Sequence, residues 1–255
     1  MNLLEIKGLC KNFGGLQAVS NFDLTLAEGE LHGLIGPNGA GKTTVFNLIT
    51  GIYRPTAGSI FFQGRELVGL RPHQITRLGI ARTFQNIRLF GQMTVLDNIR
   101  LAFNYQLKYG LWDAIWRNSA YRQQEEEVLA RSLELLRLFK LEGKAHFLAK
   151  NLPYGEQRRL EIARALATRP RLLLLDEPAA GMNPREVDEL IDLIRWIRSQ
   201  FQLTILLIEH QMRAVMNLCQ KIDVMDFGQI IARGAPEEIR NHPQVIKAYL
   251  GEESA

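Results

Sequence analysis

The segment GLIGPNGAGKTT, residues 33–44, is the feature that most constrains how this chain can fold. Its glycines and the Lys42-Thr43 pair have the spacing of a phosphate-binding loop, in which consecutive backbone N–H groups surround phosphate oxygens. Such a loop joins a strand to the start of a helix, where the helix dipole favours an anion. The segment therefore predicts an α/β fold, with Lys42 reaching the β and γ phosphates of a nucleotide and the Thr43 hydroxyl available to Mg²⁺.

A second segment, LLLLDEP at residues 172–178, carries two carboxylates at the end of an apolar run. Four consecutive leucines are typical of a strand that is buried on both faces, as in a parallel sheet. Open α/β sheets bind their ligands at the carboxyl ends of the strands. Beside a phosphate-binding loop, Asp176 is therefore expected to hold Mg²⁺ through water, and Glu177 to polarise an attacking water molecule.

Three further side chains are candidates for the same site. His210 ends another apolar run, ILLIEHQ, and its imidazole could donate a hydrogen bond to a terminal phosphate. Gln85 follows the strand-like GIARTF and could bind Mg²⁺ or the attacking water, while Phe13 precedes a turn of two glycines and could stack on an adenine ring. The remaining histidines are interpreted as structural: His32, His73, His146 and His242.

The order of the apolar segments predicts the architecture. Strands alternating with helices indicate a three-layer α/β core with a mainly parallel sheet, and short strands in the first ~35 residues indicate an antiparallel β subdomain at the N-terminus. The pattern turns helical between residues 94 and 140, so we divide the chain into a core, residues 1–85 and 166–255, and an inserted helical subdomain, residues 86–165. The apolar stripe expected to pack that subdomain consists of Val128, Leu129, Leu135, Leu136 and Phe139.

Two local patterns near the C-terminal end make sharper predictions. The segment NPREVDEL indicates a helix that is capped by Asn183 and has Pro184 at its first position. The segment KIDVMDFGQIIARG indicates a β-hairpin that turns at Phe227 and Gly228.

The composition narrows the class of protein. Hydrophobic residues make up 46% and charged residues 23%, as in an ordinary folded domain, and a net charge of +4 is too small to argue for nucleic acid. Cys10 and Cys219 lie far apart in apolar contexts and are read as small core residues in a reducing compartment. No stretch approaches the ~20 apolar residues of a membrane helix, and the first residues lack a signal-peptide pattern. We therefore expect a cytosolic chain that meets a membrane only through a partner.

The segment NLPYGEQRRL, residues 151–160, starts a helix in an unusual way. Pro153 suits a first helical turn, because its missing N–H would have no partner there. Gly155 is unexpected, since glycine weakens a helix by about 0.5–1 kcal/mol relative to alanine unless something approaches the backbone closely. The glycine raises the question of what this helix start contacts.

Together these motifs resemble the nucleotide-binding subunits of ATP-binding cassette (ABC) transporters, whose core is that of a P-loop NTPase. The landmarks occur in the family's order and span essentially the whole chain: Phe13, GPNGAGKT, Gln85, LPYGEQ, LLLLDEP, AGMN and His210. The resemblance implies an ATPase with Mg²⁺ bound by Thr43, Gln85 and Asp176, and with Glu177 and His210 in catalysis. It implies that ATP is bound by Phe13, Gly36, Pro37, Asn38, Gly39, Ala40, Gly41, Lys42, Thr43, Thr44 and Gln85.

The resemblance also implies an answer to the question about Gly155. In this family the segment that corresponds to LPYGEQ is called the signature motif, and the helix that starts there points its N-terminal end at the γ-phosphate of ATP bound to a partner subunit. The residues that would act in trans, on the partner's ATP, are Pro153, Tyr154, Gly155 and Glu156. A Cβ at Gly155 would obstruct the phosphate. Two positions depart from the usual pattern, because Pro153 replaces a serine and Asn183 replaces an aspartate.

Two longer segments, RTFQN around Gln85 and DEPAAGMNP after the strand-like LLLL, resemble those of one ATPase type of bacterial branched-chain amino-acid importers. That implies a second, non-identical ATPase subunit, two membrane permeases, a periplasmic binding protein and a position at the cytoplasmic face of the inner membrane. Three alternatives stay open: a urea or short-chain amide importer, a lipopolysaccharide exporter, and a soluble ABC ATPase of translation or DNA repair. The cargo does not follow from spacing or composition, because the ATPase never touches it.

Overall fold

The computed structural model describes residues 2–103, 107, 110–116 and 118–250. The chain divides into two compact units. The core unit comprises residues 1–85 and 170–255, and the helical unit comprises residues 86–169. The second boundary lies four residues beyond the sequence-based position of 165, because a helix continues to Ala167. Within the described residues, no helix combines the length and the apolar character needed to cross a membrane.

The core unit contains a six-stranded sheet and a four-stranded sheet among its described residues. The larger sheet has the strand order β10-β9-β3-β8-β7-β6 and is parallel except for the β9–β10 hairpin, and the smaller sheet has the order β2-β1-β4-β5 and is antiparallel. The predicted fold class is confirmed. The strands are β1 (Asn2–Phe13), β2 (Leu16–Ala27), β3 (Leu31–Ile35), β4 (Ala57–Phe62), β5 (Arg65–Glu66), β6 (Ile80–Arg82), β7 (Leu172–Asp176), β8 (Thr204–Ile208), β9 (Lys221–Asp226) and β10 (Gln229–Gly234).

The strands β3, β7 and β8 are buried along their whole length, which explains their continuous apolar sequences. Strands in the middle of a parallel sheet have both faces covered and cannot alternate apolar with polar side chains. β3 pairs with β8 and β9, and β7 pairs with β6 and β8. The carboxyl ends of these strands therefore meet at one edge of the sheet.

The helices of the core unit cover the sheets and connect the strands. Side chains of α1, such as Phe46, join apolar residues of both sheets in one buried cluster. The six helices found among the described residues of this unit are α1 (Lys42–Ile49), α2 (Pro72–Leu78), α7 (Pro184–Phe201), α8 (Met212–Leu218), α9 (Pro236–Arg240) and α10 (Pro243–Leu250).

The helical unit contains α3 (Val95–Phe103), α4 (Leu111–Trp116), α5 (Ser119–Leu138) and α6 (Tyr154–Ala167), with 3-10 turns at Glu142–Lys144 and Ala149–Asn151. The helical stretch predicted between residues 94 and 140 is thus divided, and residues 104–106, 108–109 and 117 of it lie outside the described residues. Four of the five residues of the predicted apolar stripe are buried. Leu129 is exposed, because it lies at the edge of the buried stripe, on the same side of α5 as Leu136 but farther around the helix from Val128 and Leu135.

The two local predictions near the C-terminal end are confirmed. The Asn183 side chain accepts hydrogen bonds from the backbone N–H groups of Arg185 and Glu186 at 3.0 Å, and Pro184 opens α7. β9 and β10 pair on either side of Phe227 and Gly228. The cysteine prediction holds for Cys219, which is buried, but Cys10 is only half-buried, because it lies in β1 near the end of the small sheet.

His32 of β3 lies in a buried cluster of charges. Its Nδ1 is 3.1 Å from Oε1 of Glu30, and its Nε2 is 3.1 Å from Oδ1 of Asp223. Lys221 and Arg233 lie on the outer side of the same carboxylates. Burial opposes the charge on His32, but the hydrogen bonds and attraction from Asp223 and Glu30 outweigh it and raise the pKa of the imidazole above 6.5.

We expect the free energy of unfolding to depend on pH through His32. A raised pKa in the folded state stabilises the fold fully below about pH 6.5, the value of the unfolded chain, and this stabilisation is lost as the pH rises through the folded value. Urea unfolding between pH 6 and pH 9 should show a smaller loss of stability for His32→Gln than for the unchanged chain. The exposed His73 supplies the control, since His73→Gln should keep the original slope. An unaltered slope in His32→Gln would contradict the assignment.

Candidate active site

The phosphate-binding loop connects β3 to α1, as its sequence predicts. Gly41 is the N-cap of α1, and Lys42 is the first helical residue. The Lys42 Nζ donates hydrogen bonds to the carbonyl oxygens of Gly36 at 2.6 Å and Pro37 at 2.7 Å, and the residue is only 5% exposed. The loop thus folds around its own ammonium group, beside the helix end that favours anions.

Two glycines of the loop are fixed by close packing as well as by conformation. Gly36 has φ 146° and Gly41 has φ 106°, values that side chains with a Cβ rarely adopt. A Cβ on Gly36 would overlap the carbonyl oxygen of Met225, and a Cβ on Gly41 would overlap that of Ala18. The loop is therefore wedged between β2 and β9, and no larger residue fits at either position.

The β9–β10 turn holds the loop from one side. Phe227 and Gly228 have positive φ values of 41° and 80°, as in a tight type I′ hairpin turn. The Gly228 N–H donates to the Ala40 carbonyl at 2.9 Å, and the Gly228 carbonyl accepts from the Ser20 N–H at 2.8 Å. This turn ties the phosphate-binding loop to β2 through backbone hydrogen bonds.

The other predicted residues of the loop differ in exposure. Asn38, Gly39 and Thr43 are exposed, Gly41 and Thr44 are half-buried, and Pro37 and Ala40 are buried. The exposed members present the surface that a phosphate can reach, while the buried members fill the space beneath it.

The strand ends bring together the three side chains that the sequence placed near the reacting phosphate. The Gln85 Nε2 donates to the Glu177 Oε2 at 2.8 Å, and the His210 Nδ1 is 3.6 Å from the same oxygen. The Glu177 N–H donates to the carbonyl of Ile208 at 2.9 Å, which fixes the Glu177 backbone to the end of β8. The carboxylate of Glu177 thus lies between the amide of Gln85 and the imidazole of His210.

Glu177 has a strained backbone. Its φ is 45°, in the left-handed region, although it is not a glycine. Such a conformation costs about 1–3 kcal/mol, and it occurs most often at functional sites, where the surroundings hold it. The strain supports a functional reading of Glu177 over that of a polar turn residue.

Two side chains near this site were not predicted from the sequence. Glu209 is fully buried and accepts hydrogen bonds from the backbone N–H groups of Ala179, His210 and Gln211, at 2.8, 2.9 and 3.1 Å. Arg82, at the end of β6, donates to the Asp176 Oδ2 at 2.6 Å. Glu209 and Arg82 are each a charged residue at the end of an apolar strand, and this sequence pattern could have identified them as site candidates.

The residues predicted to hold Mg²⁺ fit that ion. Oδ1 of Asp176 is buried without a hydrogen-bond partner among the described residues, and carboxylate and hydroxyl oxygens suit a hard cation. Within the described residues, no group of three or more His, Cys, Asp or Glu could hold a metal alone. This agrees with the usual binding of Mg²⁺ by one or two protein groups together with substrate phosphates.

Phe13 lies in a small aromatic group at the end of β1. It is 40% exposed, its ring is 5.2 Å from that of Tyr53 in an edge-on arrangement, and the Lys11 Nζ lies 4.9 Å from its centroid. The exposed part of the ring remains available for stacking against a base.

The start of α6 differs from its prediction at Pro153. Pro153 is the N-cap and not a first-turn residue, because α6 begins at Tyr154, and it provides no side-chain cap. The Glu156 carboxylate is bonded to the Lys144 Nζ at 2.6 and 2.7 Å. Beyond its chain neighbours and the backbone of its own helix, a Cβ on Gly155 would meet no atom of the described residues within 4 Å, so no described packing contact requires the glycine.

Comparisons with known proteins give a consistent result. Residues 19–180 match a sequence family described as ABC transporter, and residues 229–255 match one described as branched-chain amino acid ATP-binding cassette transporter. The chain is 52% identical to the high-affinity branched-chain amino acid transport ATP-binding protein LivG of Salmonella typhimurium. It is 48% identical to BraF of Pseudomonas aeruginosa, which has the same description, and each alignment covers 98% of both chains.

The fold is also similar to that of a protein of known structure. The crystal structure of the ADP conformation of MJ1267, an ATP-binding cassette of an ABC transporter, superposes with a TM-score of 0.85. The two chains are 29% identical, and the match covers 98% of this chain and 99% of the other.

We expect Lys42→Ala to weaken nucleoside triphosphate binding by about 10- to 100-fold. The phosphates lose a hydrogen bond from a charged donor, which contributes about 1.5–3 kcal/mol. Calorimetric titration of the purified chain measures the change, and Lys7→Ala, which alters a lysine that is 67% exposed, is the control. Unchanged affinity in Lys42→Ala would contradict the role of the phosphate-binding loop.

Proposed function

The chain belongs to the ABC transporter family of ATP-binding proteins, and we propose that it is the ATP-hydrolysing subunit that energises an importer of branched-chain amino acids. The observation that carries the ATPase proposal is the meeting of Gln85, Glu177 and His210 at the ends of strands beside the phosphate-binding loop. The cargo is supported by LivG and BraF, whose names specify branched-chain amino acids. It is also supported by the match of residues 229–255 to the family described as branched-chain amino acid ATP-binding cassette transporter.

Glu177 is the group that we propose accepts a proton from the attacking water. Its Oε2 is bonded to the Gln85 amide, so Oε1 is the oxygen we expect to face the water. Glu177 is nearly buried, which strengthens its electrostatic interaction with a proton that leaves the water. His210 is half exposed beside it and can donate a hydrogen bond to the terminal phosphate.

Lys42 and the backbone N–H groups of the loop bind the phosphates of ATP in this proposal. The ammonium group already lies within the loop, so its charge is in place before the phosphates arrive. Asp176 and Thr43, with Gln85, would hold Mg²⁺, which when bound neutralises charge on the phosphates. Phe13 supplies the surface on which the adenine ring stacks.

The start of α6 is proposed to act on ATP bound to a second ATPase subunit. Pro153, Tyr154, Gly155 and Glu156 form that start, and Tyr154 is exposed. The N-terminal end of the helix carries roughly half a positive charge. No described residue packs over the Cα of Gly155, which leaves the backbone open to an oxygen from outside. Each complete site would then need two subunits.

The assembly that we propose contains this chain, a second and non-identical ATPase subunit, two membrane permeases and a periplasmic binding protein. Nucleic acid is not among its partners. The chain would be attached to the cytoplasmic face of the inner membrane through the permeases. Co-purification with permeases tests this assembly against the alternative of a soluble ABC ATPase.

Uptake measurements test the cargo. A strain that lacks this chain should lose uptake of labelled leucine and keep uptake of labelled urea, and the reverse result would favour a urea or short-chain amide importer. Restoration by the unchanged chain, but not by Lys42→Ala, would show that the loss comes from its ATPase activity. Loss of lipopolysaccharide export with normal leucine uptake would favour the exporter.

We expect Glu177→Gln to lower ATP hydrolysis by about 10²–10⁴-fold, the usual contribution of one general base. ATP binding should persist, because the amide keeps the shape of the side chain but cannot accept the proton. Steady-state hydrolysis by the assembled transporter and nucleotide affinity are the two measurements. Normal turnover would show that the base lies elsewhere, and His210 would be the next candidate.

We expect Pro153→Ser to strengthen ATP-driven closure of the two subunits by about tenfold. A serine hydroxyl at the N-cap can donate to a phosphate oxygen, and a hydrogen bond to a charged group contributes about 1.5–3 kcal/mol, partly offset by a looser loop. Pro153→Ala is the matched control, because it removes the proline without adding a hydroxyl. The dependence of dimer formation on ATP concentration is the measurement.

The same variant tests which nucleotide α6 contacts. A disabled phosphate-binding loop in the partner subunit should abolish the gain from Pro153→Ser, while Lys42→Ala in the same chain should leave it measurable. The opposite pattern would mean that this helix serves the ATP of its own chain.

A further inference from the structure

Arg82 is a buried charge that none of the assigned motifs explains. It ends β6, its side chain is 5% exposed, and its Nη2 lies 2.6 Å from the Oδ2 of Asp176, whose side chain is 4% exposed. A buried ion pair is weak support for stability, because well-packed apolar residues of the same volume often stabilise a fold as much or more. The position of the pair therefore calls for a different explanation.

The second arm of the guanidinium contacts the helix that follows the phosphate-binding loop. The Arg82 Nη1 donates to the Asn47 Oδ1 at 2.7 Å and lies 3.4 Å from the Thr50 Oγ1. Asn47 belongs to α1, and Thr50 is its C-cap. Arg82 thus joins α1, which carries Thr43, to the end of β7, which carries Asp176.

The plane of the guanidinium is also fixed. The rings of Phe46 and Phe84 lie 5.4 and 4.9 Å from the central carbon of Arg82. A planar, forked cation that contacts aromatic rings and makes two directed hydrogen bonds has little rotational freedom, and lysine cannot reproduce this geometry.

These contacts distinguish the two oxygens of Asp176. Oδ2 is occupied by Arg82, while Oδ1 is buried with no hydrogen-bond partner among the described residues. A buried acceptor without a partner is costly, so a native structure that keeps one calls for a ligand or another explanation. The contacts therefore leave Oδ1 as the oxygen open to a ligand.

We propose that Arg82 is a positioning residue that fixes which oxygen of Asp176 is available to the magnesium ion and holds that carboxylate in register with Thr43 on α1. The proposal rests on the proposed ATPase function. It predicts that Arg82 acts on magnesium affinity through Asp176, and that it contributes little to nucleotide binding when magnesium is absent.

The test measures how strongly the full chain binds a non-hydrolysable ATP analogue as the Mg²⁺ concentration rises. The magnesium midpoint is the Mg²⁺ concentration at which half of the magnesium-dependent increase in binding is reached. Arg82→Met, which removes the charge and the fork but keeps an unbranched stem, should raise this concentration about tenfold. Binding measured in a metal chelator should change less than twofold. The magnesium midpoint of Arg82→Lys should lie between those of Arg82→Met and the unchanged chain, because lysine keeps the charge but lacks the forked guanidinium.

A double-mutant cycle separates positioning from a general effect. In an Asp176→Asn background, Arg82→Met should produce no further shift, since the oxygen that it positions has been replaced. Arg100→Met is the matched control, because Arg100 belongs to the helical unit and forms an ion pair of 2.7 Å there with Glu125. It should leave the magnesium midpoint unchanged.

The outcomes that overturn the proposal are specific. An unchanged midpoint in Arg82→Met would leave Arg82 with a structural role only, and a lowered midpoint would show that it competes with magnesium for Asp176. If Arg82→Met does not fold, Asn47→Ala removes one contact of the fork and should raise the midpoint about two- to threefold, and no shift would refute the proposal. Absence of any nucleotide binding by the unchanged chain would refute the proposed function instead.

Discussion

The parallel pairing of β3, β8, β7 and β6 is the constraint on which the rest of the structure depends. Because these strands run in the same direction, each delivers the residues that follow it to one edge of the sheet. Residues far apart in sequence, such as Gln85 and Glu177, come within hydrogen-bond distance there. The burial of β3, β7 and β8 on both faces fixes their register, since sliding any of them would expose apolar side chains or bury polar ones.

Three buried carboxylates at this edge are stabilised in three different ways, and the differences fit the roles that we propose for them. Glu209 is saturated by backbone N–H groups and has a scaffold role, since it links the end of β8 to Ala179. Asp176 is paired with Arg82 through one oxygen, and its other oxygen is buried with no hydrogen-bond partner in the described part of the chain. Glu177 accepts a hydrogen bond from the Gln85 amide and lies 3.6 Å from His210, an arrangement that suits the general base proposed above. In the proposed mechanism the carboxylate group would thus serve as support, ligand and base according to its neighbours.

Local sequence patterns were sufficient for the parts of the fold that local interactions determine. The phosphate-binding loop, the buried strands, the Asn183 cap and the hairpin at Phe227 and Gly228 were all predictable, because each depends on backbone conformation within a few residues. The arrangement of Gln85, Glu177 and His210 followed from the sheet topology.

The pairing of Arg82 with Asp176 was not predictable, because it joins residues 94 positions apart through side chains whose orientation depends on Phe46 and Phe84. The exposure of Leu129 was missed for a related reason, since only the packing partners of α5 decide which of two adjacent apolar residues is covered. The position of Pro153 shows the same limit on a smaller scale. A proline is compatible with both the N-cap and the first helical position, and the sequence does not separate them.

The hairpin turn at Gly228 packs against the phosphate-binding loop, whose glycines leave no space for larger residues. This close packing limits how such a protein can change over evolutionary time. The loop cannot adjust its own shape by substitution at Gly36 or Gly41, and the two-residue turn that holds it cannot lengthen without withdrawing its contact with Ala40. Insertions are therefore excluded from both segments, although they lie almost two hundred residues apart in the chain. Divergence in nucleotide affinity among relatives would have to arise from the residues around the loop and this turn, and the two segments should be inherited as one unit.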